Sequence, residues 1–401
     1  MSGLDVGALR ALVPALHGGT AYFDGPGGTQ TPAPVADAIR DALLAPLSNR
    51  GRTTLAQRNA DDLVLAFRSA VTDLLTADGF DVAHGRSATQ LTLDVSRALT
   101  VGWGPGDEVV VSRLDHESNI QPWLLAAERT GASVRWVDFD PATGELPIET
   151  VAAALTPRTR LVALTAASNL IGTMPDLPAI AEAVHAAGAL LYVDGVHLVP
   201  HHRVDLTALG ADLFVCSSYK FLGPHHGVLA GRSEILAGLR PDKLTASSDA
   251  VPERFELGTL PYELLAGTVA AVDLLAGLAP GDGIDRRARL DASMAAVEQH
   301  ESELLATLED GIGQLPGVTV WSRAARRTPT LLLTFDGHAA AEVSEALAAR
   351  NVNAPTGSFY APYASEHLGL GRDGGLRIGL APYNDEADVA AVLEGLAAAL
   401  K

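Results

Sequence analysis

Short apolar runs alternate with amphipathic stretches between about residue 80 and residue 230. Such runs, rich in β-branched residues, are typical of buried strands, and the stretches between them have the period of helices. The predicted strands are EVVVSRL, SVRWVDF, RLVALTAAS, ALLYVDG, DLFVCSS and GVLAG. The predicted helices are NIQPWLLAAERTG, LPIETVAAALTP, LPAIAEAVHAAG and DLTALGA, several of which end at a glycine. This order predicts an α/β fold with a mostly parallel sheet covered by helices on both faces.

The pattern changes on both sides of this block. PAPVADAIRDALLAPL and LAQRNADDLVLAFRSAVTDLL precede it and have the 3.6-residue period of long helices. After about residue 262 the chain becomes helix-rich and then contains the strand-like runs VTVWS, TPTLLLTF and LRIGL, which predict a smaller C-terminal α+β domain. We therefore divide the 401 residues into an N-terminal arm (1–20), a large domain (21–262) and a small domain (263–401).

Composition narrows the classes of partner and compartment. The net charge of −19 repels phosphate backbones and anionic lipid, so we expect neither nucleic acid nor membrane as a partner. The single cysteine rules out an intramolecular disulfide and favours a reducing, cytoplasmic location. The uncharged stretch 161–175 is too short to span a bilayer as a helix, and the N-terminus has no basic start or long apolar segment typical of a secretion signal.

Lysine is rare in this chain, which makes each lysine informative. Only three are present, and two of them have simple explanations: Lys401 is the last residue and Lys243 lies in the polar segment RPDKLTASSD. Lys220 lies between the apolar run ADLFVC and the segment FLGPHHGVLAG, which predicts a position between two buried strands. A lysine in such a place is a candidate for chemistry rather than for a solvated surface charge.

Polar side chains follow four of the predicted strands. They are His116, Asn169, Asp194 with His197, and Lys220. Because ligands bind beyond the carboxyl ends of strands in open α/β sheets, we expect these groups to share one crevice. An amine, a carboxylate, an amide and imidazoles together suit pyridoxal 5'-phosphate, an aldehyde held as a Schiff base on the lysine. The carboxylate would pair with the pyridinium nitrogen, and the lysine would later carry the proton of the substrate α-carbon.

The phosphate of that cofactor needs hydrogen-bond donors. GRSATQLTLDVSRAL predicts a turn of small residues that leads into a helix from about Ala88, so Ser87, Ala88 and Thr89 are candidate phosphate contacts at a helix N-terminus. A serine at that place is also an ordinary N-cap. Ser217, three residues before the candidate lysine, is a further hydroxyl donor.

Four motifs resemble, in order and spacing, those of the class V aminotransferases of fold type I. They are LDHESN, SNLIGTMPDL, VDGVHLVPH and CSSYKFLGPHHG, and within that family they are most similar to those of the cysteine desulfurase-like proteins. The resemblance runs from YFDGPGGTQTP to LRIGLAPYNDEADVAAVLEGL and implies a homodimer with a shared active site. By this resemblance His116 stacks on the pyridine ring, and Asn169 and His197 lie near its phenolic oxygen. Thr259 resembles the threonine that reaches the neighbouring subunit's phosphate, and Arg377 the arginine that clamps the substrate carboxylate. An ion pair within the small domain is the competing explanation for that arginine.

The chain departs from the desulfurase pattern in one place. Desulfurases carry a catalytic cysteine on a loop before the last strand, but the corresponding stretch PTGSFYAPYASEHLGLG has none, and Tyr360 is the counterpart of that cysteine. Tyr360 and Phe359 are equal candidates for substrate contacts or packing residues. The single Cys216 lies in a predicted buried strand, where a thiol is usually inert. The pairs His201–His202 and His225–His226 lack spaced carboxylates or thiolates, so we predict no metal site.

The sequence leaves the reaction open. Loss of the α-proton from an amino acid substrate leads to β-elimination by a carbon–sulfur lyase, to transamination, or to racemisation or epimerisation. We favour the lyase because elimination needs no cysteine nucleophile. A noncatalytic cofactor-binding protein is the alternative from another class, and the intact lysine, aspartate and arginine argue against it. A dinucleotide-dependent oxidoreductase ranks lower because no G-x-G-x-x-G opens a helix after the first strand.

Overall fold

The computed structural model describes residues 3–280 and 285–401. Residues 1–2 of the predicted arm and 281–284 of the predicted small domain lie outside the described residues. The strands are β1 Ala21–Tyr22, β2 Phe80–Gly85, β3 Glu108–Ser112, β4 Ser133–Val137, β5 Thr159–Thr165, β6 Leu190–Asp194, β7 Leu213–Ser217, β8 Gly227–Arg232, β9 Val318–Val320, β10 Thr330–Phe335, β11 Val352–Asn353, β12 Thr356–Gly357 and β13 Gly375–Gly379.

The helices alternate with these strands through the large sheet and dominate the rest of the chain. They are α1 Val6–Ala11, α2 Ala33–Leu44, α3 Leu55–Leu75, α4 Ala88–Leu99, α5 Gln121–Thr130, α6 Ile148–Ala154, α7 Leu177–Ala186, α8 Ser233–Gly238, α9 Tyr262–Ala276, α10 Arg286–Ile312, α11 Ala340–Ala348, α12 Pro362–His367 and α13 Glu386–Ala399. Among the described residues, none of these helices combines the length and the apolar character needed to cross a membrane.

The central sheet has seven strands in the order β2-β8-β7-β6-β5-β3-β4. The neighbours from β7 to β4 are parallel, and only β8 runs against its neighbours β7 and β2. This confirms the predicted α/β fold with a mostly parallel sheet. Strand β2, which the apolar pattern did not single out, runs in the direction of the parallel strands and brings its carboxyl end to the same edge.

Helices cover both faces of this sheet, and the side chains of β7 show how the two cores are divided. Phe214 and Cys216 point into the core that contains α3 and α9, while Leu213 and Val215 point into the core that contains α4 and α5. All four side chains are buried, as the alternation of a strand between two helical layers requires.

The C-terminal part of the chain forms a second, antiparallel sheet in the order β12-β13-β10-β9, which agrees with the predicted α+β character. Strand β1, near the start of the chain, pairs in parallel with β11 rather than with the large sheet. The segment that follows β1 therefore lies beside β13, where Asp24 forms a bridge to Gly379. The domain limits at residues 20 and 262 stay a prediction.

One predicted helix is wrong. Residues 206–210 of the segment 205–211 form turns instead, although Asp205 accepts a hydrogen bond from the backbone of Ala208 (2.9 Å) as a helix-capping residue does. The chain reaches Gly210 within five residues, and the left-handed backbone there (φ +69°) ends the turn before a helix can extend. A Cβ at this glycine would lie 2.3 Å from the Ala181 Cβ, so the close packing against α7 also requires glycine.

Candidate active site

A cavity of about 320 Å³ opens at the carboxyl edge of the large sheet, a volume typical of sites for small ligands. Its wall includes all but one of the residues singled out from the sequence as site residues. These are Ser87, Ala88, Thr89, His116, Asn169, Asp194, His197, Ser217, Lys220, Tyr360 and Arg377. Strands β2, β5, β6 and β7 deliver most of them because their carboxyl ends meet at one edge.

Lys220 ends a short 3-10 turn, Ser218–Lys220, directly after β7. Its side chain is buried, and its ammonium group donates a hydrogen bond to the carbonyl of Pro26. Burial, together with the positive charge of Arg377, lowers the pKa of Lys220 from 10.5 to about 7, although the carboxylates of Asp24 and Asp194 oppose the shift. The neutral, nucleophilic form of this amine is therefore much more accessible near pH 7 than that of an ordinary lysine.

Asp194 is the last residue of β6, and its carboxylate faces the same cavity. One carboxylate oxygen accepts a hydrogen bond from the backbone of Val196 (2.9 Å). Burial raises the pKa of Asp194 to about 6, and the nearby ammonium of Lys220 limits that rise. A buried carboxylate with this raised pKa is well suited to accept a proton, or a hydrogen bond, from a ligand in the cavity.

His116 begins the short turn after β3, and its Nδ1 accepts a hydrogen bond from the backbone of Ser118 (3.0 Å). This bond leaves Nε2 as the protonated nitrogen of a neutral imidazole. Burial, together with the positive charges of Lys220 and Arg377, lowers the pKa of His116 to about 4. The ring lies 5.6 Å from the ring of Tyr360, so two aromatic faces stand at the mouth of the cavity.

Three buried polar atoms of residues in the cavity wall have no protein partner among the described residues, and one of them is Arg377 Nε. His197 is fixed through Nε2, which lies 2.9 Å from the Thr330 hydroxyl and 3.0 Å from the Thr328 hydroxyl, while its Nδ1 is unpaired. Asn169 donates its amide N–H to the carbonyl of Phe359 (2.8 Å), while its Oδ1 is unpaired. Buried groups of this kind are normally paired, so they mark positions for ligand atoms.

The predicted anion site also has the expected local structure. Helix α4 begins at Ala88, and Ser87 caps it by accepting a hydrogen bond from the backbone of Gln90 (3.1 Å). The cap uses the serine oxygen as an acceptor and leaves its hydrogen, with the N–H groups of the first turn, to face the cavity. A Cβ at Gly227 would lie 2.3 Å from the Ser87 carbonyl carbon, so only glycine lets β8 approach this turn so closely.

Arg377 lies on β13 of the second sheet and is 2% exposed. Its Nη1 donates to the carbonyl of Asn169 (3.0 Å), its Nη2 donates to Asp24 Oδ1 (2.6 Å), and its guanidinium carbon lies 3.7 Å from the centre of the Phe359 ring. Burial lowers the pKa of Arg377, and Asp24 opposes that shift. Arg377 is therefore ion-paired, but its partner Asp24 lies outside the predicted small domain, and both residues line the cavity.

Phe359 and Tyr360 are consecutive residues with left-handed backbone, with φ of +52° and +55°. Hydrogen bonds hold this loop at both of its carbonyls, from the Asn169 amide to Phe359 and from the backbone of Glu117 to Tyr360 (2.7 Å). Non-glycine residues in this conformation are uncommon and cluster at functional sites. This conformation places the ring of Phe359 against the guanidinium of Arg377 and leaves the ring of Tyr360, which is 74% exposed, at the cavity mouth.

Thr259 is the one predicted site residue outside the cavity. It is exposed, and its hydroxyl lies 3.4 Å from Asn49 Oδ1. Its expected action on a neighbouring subunit stays a prediction. Within the described residues, no group of three or more histidine, cysteine or acidic side chains could hold a metal ion.

Sequence reasoning missed two charged or aromatic side chains of the cavity wall, Asp24 and Tyr219. Phe359, an equal candidate for a substrate contact or a packing residue, also lines the cavity. Asp24 lies in the quoted motif YFDGPGGTQTP, but it follows no strand of the large sheet and its partner is 353 residues away. Tyr219 directly precedes the candidate lysine, and that adjacency was the available signal.

The single cysteine does not reach this site. Cys216 is fully buried in the core that contains α3 and α9, and burial raises the pKa of its thiol. It is absent from the cavity wall, and residues 355–371, the stretch that resembles the cysteine-bearing loop, contain no cysteine.

Comparisons with known proteins agree with this architecture. The chain is 34% identical to an uncharacterized protein, MT3887, of Mycobacterium tuberculosis, over 98% of each chain. It is 30% identical to a probable cysteine desulfurase of Pseudomonas putida, over 94% of this chain and 92% of that protein. The crystal structure of the Escherichia coli cysteine desulfurase CsdA superposes with a TM-score of 0.86 at 27% identity, covering 99% of this chain and 98% of the other.

The profile of the class-V aminotransferase family matches residues 21–392, nearly the whole chain and all of the cavity wall. The chain therefore belongs to the class-V aminotransferase family and is cysteine desulfurase-like.

Proposed function

We propose that this protein is a pyridoxal 5'-phosphate-dependent enzyme that acts on an amino acid by β-elimination, as a carbon–sulfur lyase without an enzyme persulfide. The observation that carries the proposal is a cavity that joins Lys220, Asp194 and Arg377 but has no thiol in its wall. The amine, carboxylate and guanidinium suit amino-acid chemistry on an aldehyde cofactor, and the missing thiol argues against storage of sulfur on the enzyme.

The cavity fits the cofactor by the chemistry of its donors. Ser87, Ala88 and Thr89 would bind the phosphate, with Ser217 as a further hydroxyl. The unpaired His197 Nδ1 and Asn169 Oδ1 would meet the polar edge of the ring, which accounts for two otherwise unsatisfied buried atoms. His116 would cover one face of the ring. When bound there, the cofactor supplies an electron-accepting ring that stabilises negative charge at the substrate α-carbon.

The remaining work falls to side chains of this protein. Lys220, with a pKa of about 7, would hold the cofactor and then remove the proton from the substrate α-carbon near neutral pH. Asp194 would keep the ring nitrogen protonated through a charge-assisted hydrogen bond. Arg377, held by Phe359 and Asn169, would bind the substrate carboxylate and so orient the α-carbon toward the lysine.

The preference for elimination rests on Cys216 and Tyr360. A desulfurase mechanism needs a thiolate that attacks the sulfur of the substrate, but the thiol of Cys216 is buried and its pKa is raised. Tyr360, at the cavity mouth, has no such nucleophile. Elimination breaks the bond between the β-carbon and sulfur and releases the sulfur as sulfide, a thiol or a persulfide on the leaving group, so no protein thiol is needed.

We also propose that the active site is completed in a homodimer, in which Thr259 of each chain reaches the phosphate site of the other. The exposure of this threonine and of the neighbouring Leu257, which is 52% exposed, supports this arrangement, since an apolar side chain in solvent marks a surface available for contact. This arrangement can be tested by sedimentation of the holoenzyme and of a Thr259→Ala variant. The cofactor dissociation constants of both proteins are measured beside it. A monomeric holoenzyme with full activity would contradict it.

The first experiment tests the cofactor. Purified protein is incubated with pyridoxal 5'-phosphate, reduced with borohydride and mapped by mass spectrometry. We expect a visible absorbance band that borohydride removes and a cofactor adduct on Lys220. Lys220→Ala should lose both, whereas the matched variant Lys243→Ala, which removes a lysine outside the cavity, should keep both. An adduct that persists in Lys220→Ala would disprove the assignment.

The second experiment distinguishes the reactions. The holoenzyme is supplied with L-cysteine, L-cystine and a panel of other amino acids, and pyruvate, sulfide, other keto acids and the optical rotation are followed. Elimination predicts pyruvate and ammonia in equal amounts from a sulfur-containing substrate. Keto-acid formation that depends on an added acceptor keto acid would instead establish an aminotransferase, and loss of optical rotation without product would establish a racemase.

A further inference from the structure

Asp24 occupies the partner position of the arginine expected to bind the substrate carboxylate. Its Oδ1 accepts a hydrogen bond from Arg377 Nη2 at 2.6 Å. The side chain of Asp24 is 33% exposed, whereas that of Arg377 is 2% exposed. Both residues line the cavity, and the carboxylate is the more exposed of the two groups.

The other sides of the guanidinium leave little room for a second carboxylate. Nη1 is engaged with the carbonyl of Asn169 (3.0 Å), and the ring of Phe359 covers one face at 3.7 Å. Nε is buried, and it has no hydrogen-bond partner among the described residues. A substrate carboxylate that is bound through two parallel hydrogen bonds must therefore use Nη2, the nitrogen that Asp24 already holds.

The turn that carries Asp24 brings this carboxylate to the arginine. Its backbone carbonyl accepts hydrogen bonds from Gly27 (2.9 Å) and Gly28 (3.0 Å), so residues 24–28 form a tight turn. A Cβ at Gly27 would lie 2.2 Å from Asp24 Oδ2. Only a glycine at this position lets the carboxylate lie over the turn and reach the arginine.

Asp24 also balances the charge of the cavity. The same turn supplies the Pro26 carbonyl that accepts a hydrogen bond from Lys220, so the lysine and the arginine converge on one short segment. Two buried cations close to each other are costly, and a carboxylate between them reduces that cost. The pairing explains how Arg377 can stay buried while no substrate is bound.

We propose that Asp24 is an internal competitor of the substrate carboxylate: it pairs with Arg377 in the ligand-free protein and is displaced from Nη2 when substrate binds. Asp24 is thus a specificity-determining residue, since it weakens the binding of ligands that need Arg377 for a carboxylate and leaves ligands without a carboxylate unaffected. The inference rests on the proposed function in one respect, that the ligand of Arg377 is the carboxylate of an amino acid.

The test compares a carboxylate with its neutral amide. Glycine and glycinamide are titrated into the holoenzyme and followed by calorimetry, for the parent protein, Asp24→Asn and Asp73→Asn. Asparagine keeps the shape of the side chain and an oxygen acceptor for Nη2 but removes the charge. Asp73 is a matched control because it pairs with Arg286 (3.0 Å), is 25% exposed and lies outside the cavity wall.

We expect Asp24→Asn to bind glycine about tenfold more tightly than the parent, the factor that corresponds to weakening one charge-assisted hydrogen bond. Glycinamide affinity should change by less than about twofold, since this probe has no carboxylate to compete. Asp73→Asn should match the parent for both probes. Gly27→Ala, whose new methyl group pushes the carboxylate aside without removing its charge, should shift the glycine affinity in the same direction.

Equal or weaker binding of glycine in both Asp24→Asn and Gly27→Ala would overturn the proposal, because Asp24 would then support the arginine rather than compete with the ligand. The visible absorbance of each preparation is recorded beside the calorimetry. A parent protein without the cofactor band counts against the proposed function. The comparison of glycine with glycinamide still decides the role of Asp24, because the pair between Asp24 and Arg377 is formed by protein groups alone.

Discussion

Replacement of Lys220 by methionine should stabilise the cofactor-free protein, and the gain should depend on pH. Methionine has similar length and volume and carries no charge, so it removes the cost of burying an ammonium group without opening a cavity. The folded pKa of about 7 lies below the ordinary 10.5, so the unfolded chain binds more protons between these values. The parent protein therefore gains stability as pH rises from 7 toward 10.5, and it carries the full penalty below pH 7.

The magnitude follows from the two pKa values. A difference from about 7 to 10.5 corresponds to a penalty of about 5 kcal/mol at pH 6.5 and about 2 kcal/mol at pH 9. Urea unfolding of cofactor-free parent and Lys220→Met at these two pH values should thus show an advantage for the variant that shrinks by about 3 kcal/mol. Lys243→Met serves as the control for the loss of a lysine outside the cavity wall.

An advantage that is the same at both pH values would refute the reasoning, because it would mean that Lys220 keeps its proton throughout this range. A variant that is less stable than the parent at pH 6.5 would refute it as well, since the hydrogen bond to Pro26 would then outweigh the cost of burying the charge. We expect Lys220→Met to have a larger free energy of unfolding than the cofactor-free parent and to lack the proposed activity.

Three further substitutions test the roles assigned to the cavity and the thiol. Asp194→Asn should lower kcat by about 100-fold or more while the cofactor dissociation constant, measured by absorbance, rises less, because the carboxylate acts mainly on charge that develops during the reaction. Arg377→Lys should raise KM for the amino acid about tenfold or more, since an ammonium group cannot form two parallel hydrogen bonds to a carboxylate. An unchanged KM in steady-state kinetics would argue against binding of the substrate carboxylate by Arg377. Cys216→Ala should leave turnover within a few-fold of the parent and cost about 1 kcal/mol of unfolding free energy, and intact mass spectrometry after turnover with cystine should detect no added sulfur on the parent.

The site residues at the ends of strands could be predicted from the sequence because each of them lies at or just after the end of its own strand. His116, Asn169, Asp194 and Lys220 each follow an apolar run, and parallel strands carry their ends to one edge, so the shared cavity follows from the pattern. The turn at Ser87 was found by its small residues, although β2, the strand that delivers it, was not distinguished by its apolar pattern. FDVAHG contains a polar histidine and an aspartate, so it lacks the continuous apolar character of the central strands.

The contacts of Arg377 could not be predicted because they are not local. Asp24 belongs to the segment after β1, which pairs with β11 of the C-terminal region, and this pairing brings residues 353 positions apart into contact. No periodicity or turn signal encodes it. The left-handed backbone at Phe359 and Tyr360 was equally hidden, since neither residue favours this conformation and only the hydrogen bonds at both carbonyls hold it.

That loop bears on the proposed chemistry. A protein thiol that takes sulfur from a substrate in a cavity and passes it to an acceptor outside must move between the two places, so the segment that carries it needs freedom. Here the corresponding segment is tied to Asn169 on one side and to Glu117 on the other, and the ring of Phe359 is packed on a buried guanidinium. A loop fixed in this way closes the cavity wall and holds the arginine in place. It suits a reaction that is completed within the cavity and releases its sulfur product directly, which is the behaviour expected of elimination.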